Sequence, residues 1–315
     1  MLNRRHIRIK VLQILFAYYS DEKPNVASYE KMLFESVDRF RELYIALIQL
    51  TAEMQSLAIE KIEAGKNKKL PTKEDLYPNT KFVTNSLLRI LANSRKLDQA
   101  SKEIHIRWQD NKDLLKQVFK MLMETADYKE YMASKERGFE HDREYLLRFF
   151  RRHIVNYEPV HEYLEDQGIF WNDDLDLSAS MVLRTLKQVK ENDDDLEFLP
   201  LWKDPEDEDN YCKKLFRKTL ALGEENQAVI AENTPNWEAD RIALMDMIIL
   251  KMAFAEAQTF ESIPVKVTMN EYIELSKYYS TPNSSAFING VLDSIIPKMM
   301  HEGKIKKVGR GLLEE

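Results

Sequence analysis

The side chains best suited to chemistry in this chain are basic, and they are concentrated at its two ends. Residues 1–20 contain four basic and no acidic side chains, namely Arg4, Arg5, Arg8 and Lys10. Residues 297–310 contain five basic side chains against Glu302 alone, namely Lys298, Lys304, Lys306, Lys307 and Arg310. Each stretch has a net charge of +4, whereas the chain of 315 residues has a net charge of −7. Because arginine has a permanent charge and a planar donor fork that fits phosphate, the pattern predicts two candidate local polyanion-binding patches, one near each end.

The sequence has no comparable residue pattern that would indicate catalysis or cofactor binding. The sequence has no Gly-rich loop of the dinucleotide or Walker type and no His-Glu-x-x-His motif, and its six histidines are scattered. Its single cysteine, Cys212, excludes an intrachain disulfide and the Cys-x-x-Cys motifs. The acidic runs at 193–195 and 204–209 lack the ordered ligands of a calcium loop, so we expect linkers or first turns of helices there. We therefore predict no catalytic residue, no metal and no cofactor.

Helical periodicity extends over most of the chain, which has only 8 Gly and 10 Pro. Helices are predicted at about 4–19, 29–62, 85–106, 112–132, 142–164 and 178–190. The first predicted helix has basic residues followed by an apolar run, which is also the pattern of a signal peptide. However, Gln13 interrupts the apolar run and no small-residue cleavage site follows. No segment reaches the length of a membrane span. We expect a retained first helix, an all-α fold and a cytoplasmic protein without a membrane segment.

An ungapped shift of 66 residues aligns the segment 142–190 with the segment 208–256. Seven identities support the alignment: Tyr145 with Tyr211, Phe150 with Phe216, Arg151 with Arg217, Glu158 with Glu224, Trp171 with Trp237, Asp174 with Asp240 and Met181 with Met247. One interpretation is that the first segment is a degenerate copy of the second. The other is that two amphipathic helical hairpins agree by chance, and the sequence leaves both open.

Residues typical of helix starts and helix packing are most evident in the last third of the chain. Asn236 is a candidate cap for a central buried helix that begins at Trp237. Thr268 and Glu271 have the spacing of a capping box, which makes Glu271 a cap rather than a catalyst. Gly290, inside the last helical pattern, predicts close packing against a neighbour.

The order of residues in this region resembles the NusB family of transcription antitermination factors. The residues that carry the resemblance are Trp237, Asp240 and Arg241, then Ile263-Pro264-Val265, Asn270-Glu271 and Glu274-Leu275, then 287–293, together with the arginine-rich stretch 4–16. Phe16 and Lys251 depart from a common Tyr and a common Arg. We assign Trp237, Asp240 and Arg241 to packing and to an ion pair at the start of a helix.

The resemblance covers residues 1–20 and 207–300 and implies a NusB-like helical bundle with additional inserted helices. The predicted division is 1–64 for the N-terminal helices with the RNA-binding helix, 65–203 for an inserted helical region, 204–300 for the C-terminal bundle and 301–315 for a basic tail.

NusB proteins use the arginine-rich region to bind the boxA element of ribosomal RNA leaders together with NusE, a small-subunit ribosomal protein, near elongating polymerase. The resemblance therefore implies a scaffold, not an enzyme. It makes Arg4, Arg5 and Arg8 the expected RNA contacts, with Lys10, Gln13 and Phe16 as further candidates. One alternative is the NusB-like domain of an RNA methyltransferase, which needs a following cofactor domain, whereas the chain ends at Glu315. Another is a scaffold that binds only proteins.

Overall fold

The computed structural model describes residues 1–168, 171, 173–202, 204–234 and 242–312. These residues form helices and contain no β-strand, which confirms the predicted all-α class. The helices are α1 (Arg4–Ser20), α2 (Val26–Lys66), α3 (Lys73–Leu76), α4 (Ser86–Asn93), α5 (Arg95–Glu103), α6 (Lys112–Glu124), α7 (Ala126–Ala133), α8 (Phe139–Phe149), α9 (Glu158–Gln167), α10 (Leu175–Gln188), α11 (Pro205–Ala221), α12 (Gly223–Asn233), α13 (Leu244–Thr259), α14 (Val265–Tyr279) and α15 (Ser284–His301). A π-helical turn, Phe150–Ile154, continues α8.

The chain divides into two compact units. The terminal unit comprises Leu2–Glu35 and Trp202–Glu315, and the inserted unit comprises Ser36–Leu201 with Met1. The border between residues 35 and 36 lies inside α2, whereas the division predicted from the sequence placed its first border at residue 64. The difference has a physical reason: periodicity shows where a helix stops, but not which part of a long helix packs with which neighbours.

Helix α13 is the centre of the terminal unit. All twelve residues from Asp246 to Ala257 are buried, and α1, α11, α12, α14 and α15 pack around them. This confirms the prediction of a central buried helix. The helix begins at Leu244, after Ala243 in a non-helical conformation. The predicted cap Asn236, the predicted start Trp237 and the predicted ion pair of Asp240 and Arg241 lie outside the described residues.

Two other predictions for the terminal unit are wrong. Helix α14 begins at Val265, directly after Pro264, so Thr268 lies inside the helix and cannot form a capping box with Glu271. Both side chains instead reach towards other helices. Gly290 is exposed, and a Cβ added there would meet no described atom within 4 Å, so this glycine does not mark close packing.

In the inserted unit, three helices that the sequence pattern joined are each broken in two. Ser94 ends α4 and its Oγ accepts a hydrogen bond from the Leu97 amide of α5 at 3.0 Å. Thr125 separates α6 from α7 in the same way, through the Tyr128 amide at 3.1 Å. A short hydroxyl side chain satisfies an otherwise unpaired amide at the start of a helix, and this stabilises a break that apolar periodicity does not reveal. The third break precedes Pro159, in the first turn of α9.

The helix boundaries agree with the proposed duplication. A shift of 66 residues moves α8 and its π-helical turn to 205–220, against Pro205–Ala221 for α11, and moves α9 to 224–233, against Gly223–Asn233 for α12. Three aligned pairs are buried in both copies: Tyr145 with Tyr211, Phe150 with Phe216 and Met181 with Met247. Trp171 is buried, but its counterpart Trp237 lies outside the described residues. The duplication stays a prediction, now supported by matching elements and matching burial.

Candidate functional site

Helix α1 presents its arginine-rich first turns to the rest of the terminal unit. Asn3 caps the helix, since its Oδ1 accepts a hydrogen bond from the His6 amide at 3.1 Å. Ile7, Val11 and Ile14 are buried, and the helix packs on α11 and α13. Because the buried face fixes the rotation of the helix, the positions of its arginines are fixed as well.

Arg8 is buried in a polar network rather than presented to solvent. Its Nε and Nη2 donate to the two carboxylate oxygens of Glu256 at 2.7 and 2.8 Å, and the two side chains are 3% and 0% exposed. Three hydroxyl groups also donate to the Glu256 carboxylate: Tyr211 at 2.5 Å, Thr268 at 2.8 Å and Tyr272 at 3.1 Å. A buried ion pair of this kind has its charge and its hydrogen-bonding capacity satisfied within the protein.

The same network sets the protonation state of Glu256. Burial alone would raise the pKa of this carboxyl, but the hydrogen bonds and the charge of Arg8, with the hydroxyls of Tyr211 and Thr268, hold the pKa below its ordinary value. Burial and the neighbouring Glu256 charge raise the pKa of Tyr272 well above its ordinary value. The network is therefore a carboxylate, a guanidinium and neutral phenols, which is an arrangement for stability and not for proton transfer.

The side chains of Arg4 and Arg5 stay partly exposed, although each has a carboxylate partner. Arg4 Nη2 lies 2.9 Å from Asp207 Oδ2, and the Arg4 side chain is 36% exposed. Arg5 donates through Nε and Nη2 to Glu271 at 2.9 and 2.8 Å and is 50% exposed. Glu271 also accepts a longer hydrogen bond, 3.4 Å, from Arg8. Both arginine side chains are therefore partly accessible to solvent, and a partly exposed ion pair contributes little to stability, about 0–1 kcal/mol.

The remaining predicted contacts differ in accessibility. Lys10 is buried, Gln13 is half-buried and Phe16 is 40% exposed. The structure therefore corrects the expectation for Arg8 and Lys10, whose side chains are buried. The reason is that α1 is covered on most sides by the terminal unit, so even basic positions on its flank lie under neighbouring helices.

Arg4 and Arg5 line a cleft with a volume of about 620 Å³. Its basic lining residues are Arg4, Arg5, Arg8, Lys266 and Arg310, against one acid among the described residues, Glu271. An apolar side is formed by Ile263, Pro264 and Val267. The arrangement offers charged forks for phosphate oxygens beside an apolar surface on which a base could lie.

Lys266 was not predicted as a site residue, and Arg310 was named only as part of the basic C-terminal stretch. The basic charge of the C-terminal tail was visible in the sequence, but no spacing rule connects residue 310 to residue 4. Their convergence depends on how α14 and the tail pack against the start of α1.

Asp204, from one of the acidic runs, caps α11 by accepting a hydrogen bond from the Asp207 amide at 3.2 Å, which confirms the helix-start interpretation of that run.

No group of three or more His, Cys, Asp or Glu side chains in the described residues is arranged to hold a metal ion. None of the described helices combines the length and apolarity needed to cross a membrane. His153 Nε2 lies 3.0 Å from Asp127, and His161 contacts the Val155 carbonyl, so these two histidines bond to separate groups.

Comparison with known proteins identifies the family. The NusB family model matches residues 177–297. The transcription antitermination protein NusB of Salinibacter ruber is 40% identical over 143 residues, which cover 43% of this chain and 89% of that protein. The proteins of the same name from Chloroherpeton thalassium and Listeria monocytogenes are 41% and 38% identical over 85 and 93 residues, covering 27% and 30% of this chain and 40% and 73% of the relatives. No solved structure matches the chain. With a relative of 40% identity aligned over nearly its whole length, this chain belongs to the NusB family.

Proposed function

We propose that this protein is a transcription antitermination factor that binds boxA-type RNA of ribosomal RNA leaders together with NusE, as a non-catalytic scaffold beside the elongating polymerase in the cytoplasm. The observation that supports RNA binding is the cleft at the start of α1, where the partly exposed side chains of Arg4 and Arg5 lie beside an apolar surface. Phosphate fits the donor forks, and single-stranded RNA has bases free to lie against the apolar side.

The burial of the residues in α1 changes which of them we propose as RNA contacts. Arg4 and Arg5 bind RNA phosphates, Phe16 and Gln13 are accessible enough to contribute, and Arg8 and Lys10 hold the helix in place. Two phosphate contacts on a single strand correspond to a slope of about −1.4 in a plot of log affinity against log salt, at about 0.7 per contact.

The experiment is a titration of the full chain with boxA RNA and with a scrambled RNA of equal length, with and without NusE, over a range of salt. The test variant is Arg4→Ala with Arg5→Ala. The matched control is Arg89→Ala with Arg107→Ala, which removes the same charge from exposed positions of the inserted unit. We expect the test variant to lose most of the salt dependence and the control to retain it. Equal affinity and equal slope in both variants would refute the proposal.

A second candidate is a scaffold that binds proteins only. It is favoured by the carboxylate partners of Arg4 and Arg5, since these arginines already have a role in holding α1 against the rest of the terminal unit. Binding of NusE by the unmodified chain, with no RNA retained at moderate salt, would select this candidate over the first.

A further inference from the structure

The C-terminal tail, residues 302–312, is held against the terminal unit by specific contacts. Gly303, with φ of 72°, allows the chain to turn at the end of α15. Lys307 Nζ then donates to the carbonyl oxygens of Ala257 and Phe260 at 2.8 and 3.0 Å. The Val308 amide donates to the Glu261 carbonyl at 3.1 Å. These bonds place the tail along the segment that joins α13 to α14.

Gly311 shows how close this approach is. A Cβ added at Gly311 would lie 1.9 Å from the Glu261 carbonyl oxygen, a distance that no side chain can tolerate without moving the backbone. The glycine is buried, whereas its neighbour Arg310 is exposed and lines the same cleft as Arg4 and Arg5. The two basic ends of the chain therefore meet at one cleft.

We propose that the docked C-terminal tail forms one wall of the RNA cleft, and that Arg310 binds a phosphate of the same RNA strand that Arg4 and Arg5 contact. This inference rests on the proposed function and adds a third phosphate contact to it. Glu271 is the acidic residue among the described residues that line the cleft. Its carboxylate accepts a hydrogen bond from Arg5, so it does not neutralise the charge of Arg310. Arginine at this position presents the fork geometry that phosphate oxygens fit.

The chain offers a matched pair of variants for the test. Arg310→Ala removes a cation that lines the cleft, and Lys306→Ala removes an exposed cation of the same tail that does not. For Arg310→Ala we expect roughly tenfold weaker binding of boxA RNA, the lower end of what a charge-assisted hydrogen bond contributes. The salt slope should become shallower by about 0.7. Lys306→Ala should leave the slope unchanged.

A second variant tests whether docking of the tail matters. Gly311→Ala keeps every charge but places a Cβ against the Glu261 carbonyl, so it should release the tail. We expect this variant to lose as much RNA affinity as Arg310→Ala, and limited proteolysis should cut its tail faster than that of the unmodified chain.

The outcomes separate this inference from the proposed function. If the Arg4 and Arg5 variant loses affinity while Arg310→Ala matches Lys306→Ala, the role of the tail is refuted and the proposed function stands. If the Arg4 and Arg5 variant binds like the unmodified chain, the proposed function fails, and the third contact fails with it. Faster proteolysis of Gly311→Ala with undiminished RNA binding also overturns the inference.

Discussion

Removing Arg8 should destabilise the terminal unit far more than removing Arg5, three residues before it. Arg8→Ala leaves the Glu256 carboxylate, which is 0% exposed, with three hydroxyl donors but without its cation. Breaking a buried ion pair in this way costs about 3–5 kcal/mol, which is two to four orders of magnitude in the unfolding equilibrium at about 1.4 kcal/mol per decade. Arg5→Ala breaks a half-exposed pair and should cost at most about 1 kcal/mol.

Because the chain has two compact units, the measurement should report on α13 itself. Hydrogen exchange of α13 amides, followed by mass spectrometry at increasing urea, gives the opening free energy of that helix. A third variant, Arg8→Ala with Glu256→Gln, removes the unpaired charge and should recover part of the loss. If Arg8→Ala and Arg5→Ala gave equal protection of α13, or if Glu256→Gln recovered nothing, the structural role assigned to the buried pair would be refuted.

Three further predictions concern single residues. Burial, with the charges of the N-terminus, Arg5 and Lys10, lowers the pKa of His6 from 6.5 to about 4. The unfolded chain therefore takes up this proton first, and stability should fall as pH drops from about 6.5 to about 4; His6→Gln should flatten that part of a urea-unfolding pH profile, and an unchanged profile would contradict the assignment. Gly290→Ala, at an exposed helical position, should raise the free energy of unfolding by about 1 kcal/mol, and a decrease would show a contact that the structure lacks. Burial raises the pKa of Cys212 to about 12, so its thiol should resist a thiol reagent at pH 8 until urea unfolds the chain, and rapid labelling of the native protein would count against its burial.

The sequence predicted those parts of the structure that depend on local periodicity. The first helix was expected at 4–19 and spans Arg4–Ser20, and the central helix was expected to be buried, as α13 is. Local rules were less reliable where two of them competed. The Thr268 and Glu271 spacing fits a cap, but Pro264 starts the helix earlier, because its fixed φ suits that position.

The ion pairs of the site could not be predicted in the same way. The partners of Arg4, Arg5 and Arg8 lie 203, 266 and 248 residues further along the chain. Acidic residues are abundant in this sequence, so charge alone does not select Asp207, Glu271 and Glu256 from the others. Only the packing of α1 against α11, α13 and α14 decides which arginine is buried and which remains accessible.

The distance along the chain between Arg8 and Glu256 also has a consequence for biosynthesis. At about 5–20 residues per second, a ribosome needs roughly 12–50 s to add the 248 residues that separate them. During that time α11 and α13, on which α1 packs in the finished protein, have not yet been made or are incomplete. The inserted unit is translated within this interval and can fold first. The nascent amino-terminal helix is thus a natural substrate for chaperones that hold apolar segments, and it docks only after most of the polypeptide has left the ribosome.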